Sequence, residues 1–551
     1  MKKLFMGFFM SLLCLSLQAN ELETSEAIET ATAETSLQYA EMIQTDDELF
    51  KLVHLLSLQT TSVCLADREP ATRGEVLLVL ENIDKEFLDA KGLELYELAL
   101  AYLHKKDYLL KSENLAFETN GEFALQAQYS ESDKLLQADN IDHYNKTPAL
   151  IAVPISINIS PFVNLATVLE LKKGFWASYY SIPFTNIPLK DDAIDVQFPH
   201  TANISAGNSF MSFTLGRGRH RVGQTLNGSL FLADATHSLD FASLRFFHKN
   251  FSIASSVVAM ERYRFLFTHE INFKITKYVA VRLFEGTTLY GSFDFRYLNP
   301  VMIFHNLYGW DEGNINGFVP NGSQFGIGLE VVPYKGLRFY AQSEMNQFQT
   351  AYERKEYPGD SAITPNSLGG LLGFEYTHLF PAGALTAQAE FLYANPWLNV
   401  LEHRDICFVD KHVEKVAPNK WRGKSFYIWL TNPLGPDTIA FTTKLSFEDF
   451  FKYGVSLKYR LLVKGENEDD FFAEIIKSDE NTKEFYPKTS EKAKIKTPSG
   501  TPLYVHTISL EGFYEVYKNL RLKAQFDISC FTGRKNMTAI YFSTGLNYKI
   551  K

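Results

Sequence analysis

Gly336 to Gln347 reads GLRFYAQSEMNQ, and its alternation decides the fold. Leu337, Phe339, Ala341 and Met345 fall on one side of an extended chain. Arg338, Tyr340, Gln342, Glu344 and Asn346 fall on the other, because successive side chains of a strand point to opposite faces. One face is oily and the other carries charge and amide. A soluble sandwich would turn the oily face inward. Repeated through most of a long exported chain, the same pattern fits a barrel turned inside out, with lipid outside and a polar lumen within.

The pattern does repeat. From Leu115 onward there are about 18 strand-like segments, within the even-numbered range of bacterial barrels. Early ones are Glu122 to Tyr129, Leu150 to Ile159 and Val163 to Leu171; central ones are Arg264 to Ile275, Val279 to Glu285, Gln324 to Val332 and Arg338 to Gln347. Leu372 to Thr377, Leu385 to Tyr393, Ile439 to Phe447 and Tyr453 to Leu461 follow. Thr507 to Tyr514, Leu520 to Ile528 and Ile540 to Ile550 close the series. Thr276-Lys277, Pro333-Tyr-Lys and Tyr517-Lys518-Asn519 read as tight turns, whereas 298–322, 349–368, 396–423 and 463–501 are long and polar. Barrels place short turns in the periplasm and long loops outside. Counting strands from both ends leaves the loops on the two sides of 396–423 facing opposite ways. One more wall strand, Arg404 to Val409, would restore parity.

Met1-Lys2-Lys3 followed by apolar Leu4 to Leu17 and by Ala19 has the form of a secretory leader. Cys14 follows the bulky Leu13, a poor lipidation site. No later stretch approaches the roughly 20 apolar residues of a spanning helix. Between Asn20 and Glu113, runs such as Phe50-Lys-Leu-Val-His-Leu-Leu and Leu95-Tyr-Glu-Leu-Ala-Leu recur at helical spacing. Thr72 with Glu75 three residues on predicts a capping box. The chain thus divides into a leader over 1–19, a periplasmic helical domain over 20–114 and an outer-membrane barrel over 115–551.

Composition narrows the partners. A net charge of −10 argues against nucleic acid, since phosphate binding needs a basic surface. Past the leader only Cys64, Cys407 and Cys530 remain, no disulfide framework and no zinc spacing. No Ser-His-Asp set, phosphate loop or paired-carboxylate site stands out, so the reading is not an enzyme and carries neither cofactor nor metal. A barrel implies outer-membrane lipid and the barrel-assembly machinery as partners.

Several polar groups are candidate site residues. Arg217, Arg219 and Arg221 share one face if their segment is extended, a guanidinium ladder suited to carboxylates or phosphates. The alternative is an ordinary lumen ladder neutralised by Glu330, Glu344, Glu375 and Glu390. Arg282, Glu330, Arg338, Gln342 and Glu344 belong to that lumen face, and Arg264, Glu270, Arg282 and Glu285 form a mixed cluster. His269 falls on the apolar face, as a girdle or interface residue. In the loop Tyr308-Gly-Trp-Asp-Glu-Gly-Asn-Ile-Asn-Gly, Tyr308 and Trp310 offer rings to sugar faces, and Asp311 and Asn314 offer polar groups to hydroxyls.

The order of several short motifs resembles one family. Gly216-Arg-Gly-Arg-His-Arg-Val-Gly-Gln-Thr-Leu-Asn-Gly-Ser-Leu-Phe-Leu-Ala is followed by Thr268-His-Glu-Ile, Glu285-Gly-Thr-Thr-Leu-Tyr-Gly and Arg296-Tyr-Leu-Asn-Pro. Asn321-Gly-Ser-Gln-Phe-Gly-Ile-Gly-Leu-Glu, Asn432-Pro-Leu-Gly-Pro-Asp and the earlier Arg68-Glu-Pro-Ala-Thr-Arg-Gly-Glu-Val join them. Together they resemble the Wzi family of capsule assembly proteins over about residues 45 to 450. Val222 departs from the aromatic usual there, and the loop from Lys464 to Gly500 is unusually long. The resemblance implies an 18-stranded barrel with a periplasmic helical bundle, a largely plugged lumen and a lectin-like hold on capsular polysaccharide. Two functions compete: a non-catalytic polysaccharide-binding barrel and a porin-like passive solute channel.

Overall fold

A computed structural model describes residues 38–43, 48–104, 108–112, 115–181, 183–190, 193–233, 235, 238–304, 321–401, 403–414, 424–450, 452–467 and 489–550. The wall is a closed antiparallel barrel of 18 strands. Strand β1 has two segments, Ala116–Thr119 and Gly121–Ser130, broken at Asn120. It is followed by β2 (Ile151–Ser160), β3 (Val163–Leu171), β4 (Ala202–Gly207), β5 (Met211–Gly218) and β6 (Leu239–His248). Next come β7 (Phe251–Glu261), β8 (Arg264–Thr276), β9 (Val279–Tyr290), β10 (Asn321–Tyr334), β11 (Leu337–Gln347) and β12 (Ser367–Phe380). The last are β13 (Gly383–Ala394), β14 (Thr438–Asp449), β15 (Tyr453–Lys464), β16 (Leu503–Tyr517), β17 (Leu520–Gly533) and β18 (Met537–Ile550).

The alternation is realised as read. On β11, Arg338, Tyr340, Gln342 and Glu344 are buried toward the lumen, while Phe339 is exposed on the outer wall. Ile327, Leu372, Phe391, Leu457, Ile508 and Phe526 are likewise exposed there. Short turns such as Thr276 to Val279 and Tyr517 to Leu520 gather at one end, and the long loops at the other.

The missing wall strand is not in the wall. Strand β13 pairs directly with β14, Ala394 opposite Thr438. Arg404–Ile406 is a single 3₁₀ turn. Val409–Glu414 instead pairs with Lys424–Trp429 as a separate two-stranded hairpin, whose Val409 and Ile428 are buried. Neither strand counts toward parity, and the imbalance vanishes.

Helices α1 (Glu48–Gln59), α2 (Arg73–Glu81) and α3 (Ala90–His104) close the short-turn end. Phe50, Leu56, Leu80 and Leu95 pack with Leu379 and Ala384 of the β12–β13 turn. Thr72 caps α2, its hydroxyl accepting from the Glu75 amide. The reciprocal half of the capping box is not made, because the Glu75 carboxylate is drawn to Arg245 on β6. No helix among the described residues is long and apolar enough to cross a membrane.

At the seam, β1 pairs with β18 through Ser130 opposite Tyr541, but only Glu122 and Phe123 of its second segment pair with β2. Above them the chain from Phe184 to Asn186 takes over the ladder, by backbone bonds to Gln126 and Gln128 and by the Asn186 side chain. Its Oδ1 accepts from the Gln126 amide at 2.9 Å, and its Nδ2 donates to the Ala124 carbonyl at 2.9 Å.

Candidate functional site

The lumen is filled from three directions. From the short-turn end, the segment joining α1 to α2 inserts Asp67 and Arg68, and the first turn of α2 adds Glu75, all buried. Arg68 pairs with Glu270, Asp67 with Arg282, and Glu75 with Arg245, while Glu270 also meets the Arg282 Nε at 2.9 Å. Burial pushes the Arg68 guanidinium down to about 10, against the pull of Glu270. Removing one partner of such a buried network costs roughly 3–5 kcal/mol, because the other charge is stranded.

From the long-loop end comes the Gly-Arg-Gly-Arg motif. Strand β5 stops at Gly218, and the chain then turns inward. Arg221 and Val222 pair with Glu69 and Arg68 across the lumen. Gly223 takes φ +90°, and a Cβ there would lie 2.6 Å from the Gln342 side chain, so only glycine fits this approach. Glu390 then receives the plug: its carboxylate accepts from the Leu226 amide at 2.7 Å, the Asn227 amide at 2.9 Å and Tyr340 Oη at 2.7 Å. Gln342 Oε1 accepts from the Leu230 amide at 2.9 Å. Leu230 to Ala233 are all fully buried. Phe231 stacks on Phe284 at 5.2 Å and lies against the inner-facing Gly326 and Gly328 of β10, whose lack of side chain makes the room.

The third filler is helix α4 (Gln137–Lys146), on the β1–β2 connection. Asp139 meets Arg460 at 2.6 Å, His143 meets Asp527 at 2.6 Å, and Lys146 meets Glu511 at 2.6 Å. These contacts fasten it to β15, β16 and β17.

Around these fillers the expected residues scatter. Arg217 stays on the wall, bidentate to Asp240 at 2.6 and 2.7 Å and donating to the Gln197 carbonyl. Arg219 and Arg221 lie past the strand end and border a cavity of about 1370 Å³, so the three arginines form no common ladder. Arg338 is neutralised by Glu330 at 3.2 Å and Glu375 at 3.4 Å; Glu390 holds the plug instead. Glu344 is fully buried, away from all three arginines. The mixed cluster divides three ways. Arg264 donates to the Asp405 and Cys407 carbonyls at 2.9 and 2.7 Å, Glu270 and Arg282 join the inserted segment, and Glu285 faces outward beside His269 at 4.0 Å. His269 is covered by Phe304, stacked at 4.0 Å, and bonds to the Met302 carbonyl. That outer strap, not a girdle, explains a histidine on the apolar face. Tyr308, Trp310, Asp311 and Asn314 lie outside the described residues, as does the leader.

The resemblance implies a plugged lumen, but the segment that forms the plug escaped the sequence reading. Two signals were present: the apolar run Leu230-Phe-Leu-Ala sits directly after a glycine-rich stretch, and Gly322, Gly326 and Gly328 fall on one face of a single strand. Among the described residues, no group of three or more His, Cys, Asp or Glu side chains is placed to hold a metal ion.

No family model matches the chain, and no curated protein matches it in sequence. Solved structures do. Wzi of Escherichia coli, a carbohydrate-binding β-barrel involved in group 1 capsule assembly, matches with a TM-score of 0.56 at 12% identity, over 92% of this chain and 99% of that one. OprD of Pseudomonas aeruginosa matches with a TM-score of 0.40 at 8% identity, over 78% of this chain and 94% of that one. The first likeness is to the whole fold, a closed β-barrel like that of Wzi.

Proposed function

We propose that the protein is a non-catalytic outer-membrane barrel that retains polysaccharide at the cell surface, with its helical region in the periplasm. The observation that carries this reading is the plug. A segment held by Glu390 and Gln342 and packed around Phe231 is built to stay, and a barrel filled this way offers its long loops as its working surface. Wzi, which has the same fold, binds carbohydrate. The helices sit at the short-turn end, which in such barrels faces the periplasm.

In this reading Tyr308 and Trp310 stack on sugar rings, and Asp311 and Asn314 accept from or donate to hydroxyls. Loops carry such groups because rigid strands position them. Arg219 and Arg221 meet acidic substituents that reach the lumen; Arg217, engaged by Asp240, contributes least. Purified protein should retain surface glycan on a pull-down, and Trp310→Ala should weaken that retention while the barrel still assembles. Full retention by an assembled Trp310→Ala, Arg219→Ala variant would reject the site. A large steady conductance of the wild-type protein in planar bilayers would favour the solute channel instead.

A further inference from the structure

The cavity of about 1370 Å³ is bounded by the inner faces of β14 to β18 on one side and by α4, the plug and the inner strand Lys424–Trp429 on the other. It is larger than the roughly 300–1,000 Å³ pockets that take drug-sized ligands. Nine basic side chains and four acidic ones border it. This balance is unexpected in a chain whose net charge is −10.

Three of the four acids are engaged, and the fourth, Glu448, acts on Lys444 only at longer range. Asp139 is spent on Arg460, and Asp142 and Glu511 are both spent on Lys146 at 3.1 and 2.6 Å. Lys444, Lys458 and Lys523 point into the same space from three strands of one wall. Among the described residues none of them has a carboxylate within ion-pair distance. Three ammonium groups without a direct ion pair around one chamber repel one another, and an anion from outside relieves that repulsion. The chamber also has aromatic lining. Tyr427 and Trp429 come from the inner hairpin and Phe513 from β16. Rings beside free cations suit a ligand with both flat apolar faces and negative charge.

Access is from the helical end. Lys51 of α1 borders the cavity and is exposed, as is Lys523 near the β16–β17 short turn. At the opposite end, the Lys464 ammonium donates to the Leu434 and Pro436 carbonyls at 2.5 and 3.1 Å, tying the Thr431 to Asp437 segment across.

We propose that this chamber is a binding site for an anionic oligosaccharide, a sugar chain bearing carboxylate or phosphate groups, admitted from the side of the helices. The chamber shares Arg219 and Arg221 with the retention site proposed above, whereas Lys444, Lys458 and Lys523 belong to it alone.

The test uses full-length protein in detergent micelles, titrated calorimetrically with oligogalacturonate, with neutral maltohexaose and with inorganic phosphate. Oligogalacturonate should bind at least tenfold more tightly than either of the others, and its affinity should fall with added salt, because exposed charge is screened. The combined variant Lys444→Gln, Lys458→Gln, Lys523→Gln should lose at least tenfold in affinity, and arginine at the three positions should restore it. Equal binding of maltohexaose would overturn the role of charge, and equal binding of phosphate the role of the sugar. Unchanged affinity in an assembled triple-glutamine variant would overturn the location. If that variant does not assemble, the three wild-type titrations still decide. Loss of oligogalacturonate binding on Trp310→Ala, with the triple variant unaffected, would move the site to the loops and reject the chamber.

Discussion

At the scale of the residue, depth in the membrane decides what a substitution costs. Phe339 is only two residues past the start of β11, close to the short turns and therefore near an interface. Ile327 sits midway along β10 with its side chain exposed on the outer wall. Arginine at Ile327 should cost roughly 2–4 kcal/mol and at Phe339 only about 0–1 kcal/mol, read as unfolding midpoints of the refolded barrel. Equal penalties would place the membrane elsewhere on the wall. On the inner face, Gln342 is no neutral lumen position, because it receives the plug amide of Leu230. His220 is a second residue with a legible consequence. Burial, reinforced by Arg68 nearby, depresses its pKa to about 3 from 6.5, and its Nδ1–H donates to the Glu69 carbonyl at 2.9 Å. The folded state keeps the ring neutral. Between pH 6.5 and about 3 the unfolded chain binds a proton that the folded one refuses, so stability falls as pH falls. His220→Gln, which keeps a donor but cannot titrate, should lose less stability between pH 7 and pH 4.5 than the wild type does. Parallel pH profiles of the denaturation midpoint would clear His220 of that role.

At the scale of the element, alternation made the wall strands legible, since a strand between lipid and lumen must keep two faces throughout. Strand counting misled at Arg404 to Val409, which is mostly a 3₁₀ turn. The strand Lys424–Trp429 that follows has two faces like a wall strand but pairs with Val409–Glu414 instead, and period two cannot tell the two kinds apart. The segment that forms the plug was hidden for a different reason. Its stability comes from acceptors on remote strands, Glu390 and Gln342, and no local pattern records them. Because hydrogen bonds to a charged acceptor contribute roughly 1.5–3 kcal/mol each, Glu390→Ala should release the plug at Leu226 and Asn227 while leaving the ladders whole. Bilayer conductance should rise, and the protein should still migrate as a folded barrel. Glu390→Gln, which keeps one acceptor oxygen, should fall between. No rise in conductance for Glu390→Ala would mean that the packing of Phe231 alone holds the plug.

At the scale of the whole molecule, the outer wall and the filled lumen impose opposite solvents on the two faces of one sheet. Mature protein should extract only with detergent and should run at different gel positions before and after boiling; recovery of folded protein from a detergent-free soluble fraction would contradict the barrel. The candidate glycan loops are the least legible part of the chain, because their composition of Tyr, Trp, Asp and Asn is also that of any polar loop. The seam carries one more consequence. Between β1 and β2 the row of backbone bonds is broken at Asn120 and stops at Phe123, and past it the stretch from Phe184 to Asn186 stands in, bonding to Gln126 and Gln128 through its backbone and to Ala124 and Gln126 through the Asn186 side chain. The cylinder therefore behaves less like a welded hoop than like a zip with a hook at the top. One interrupted line runs lengthwise beside its first strand, where a borrowed segment and not the next strand holds the upper wall closed.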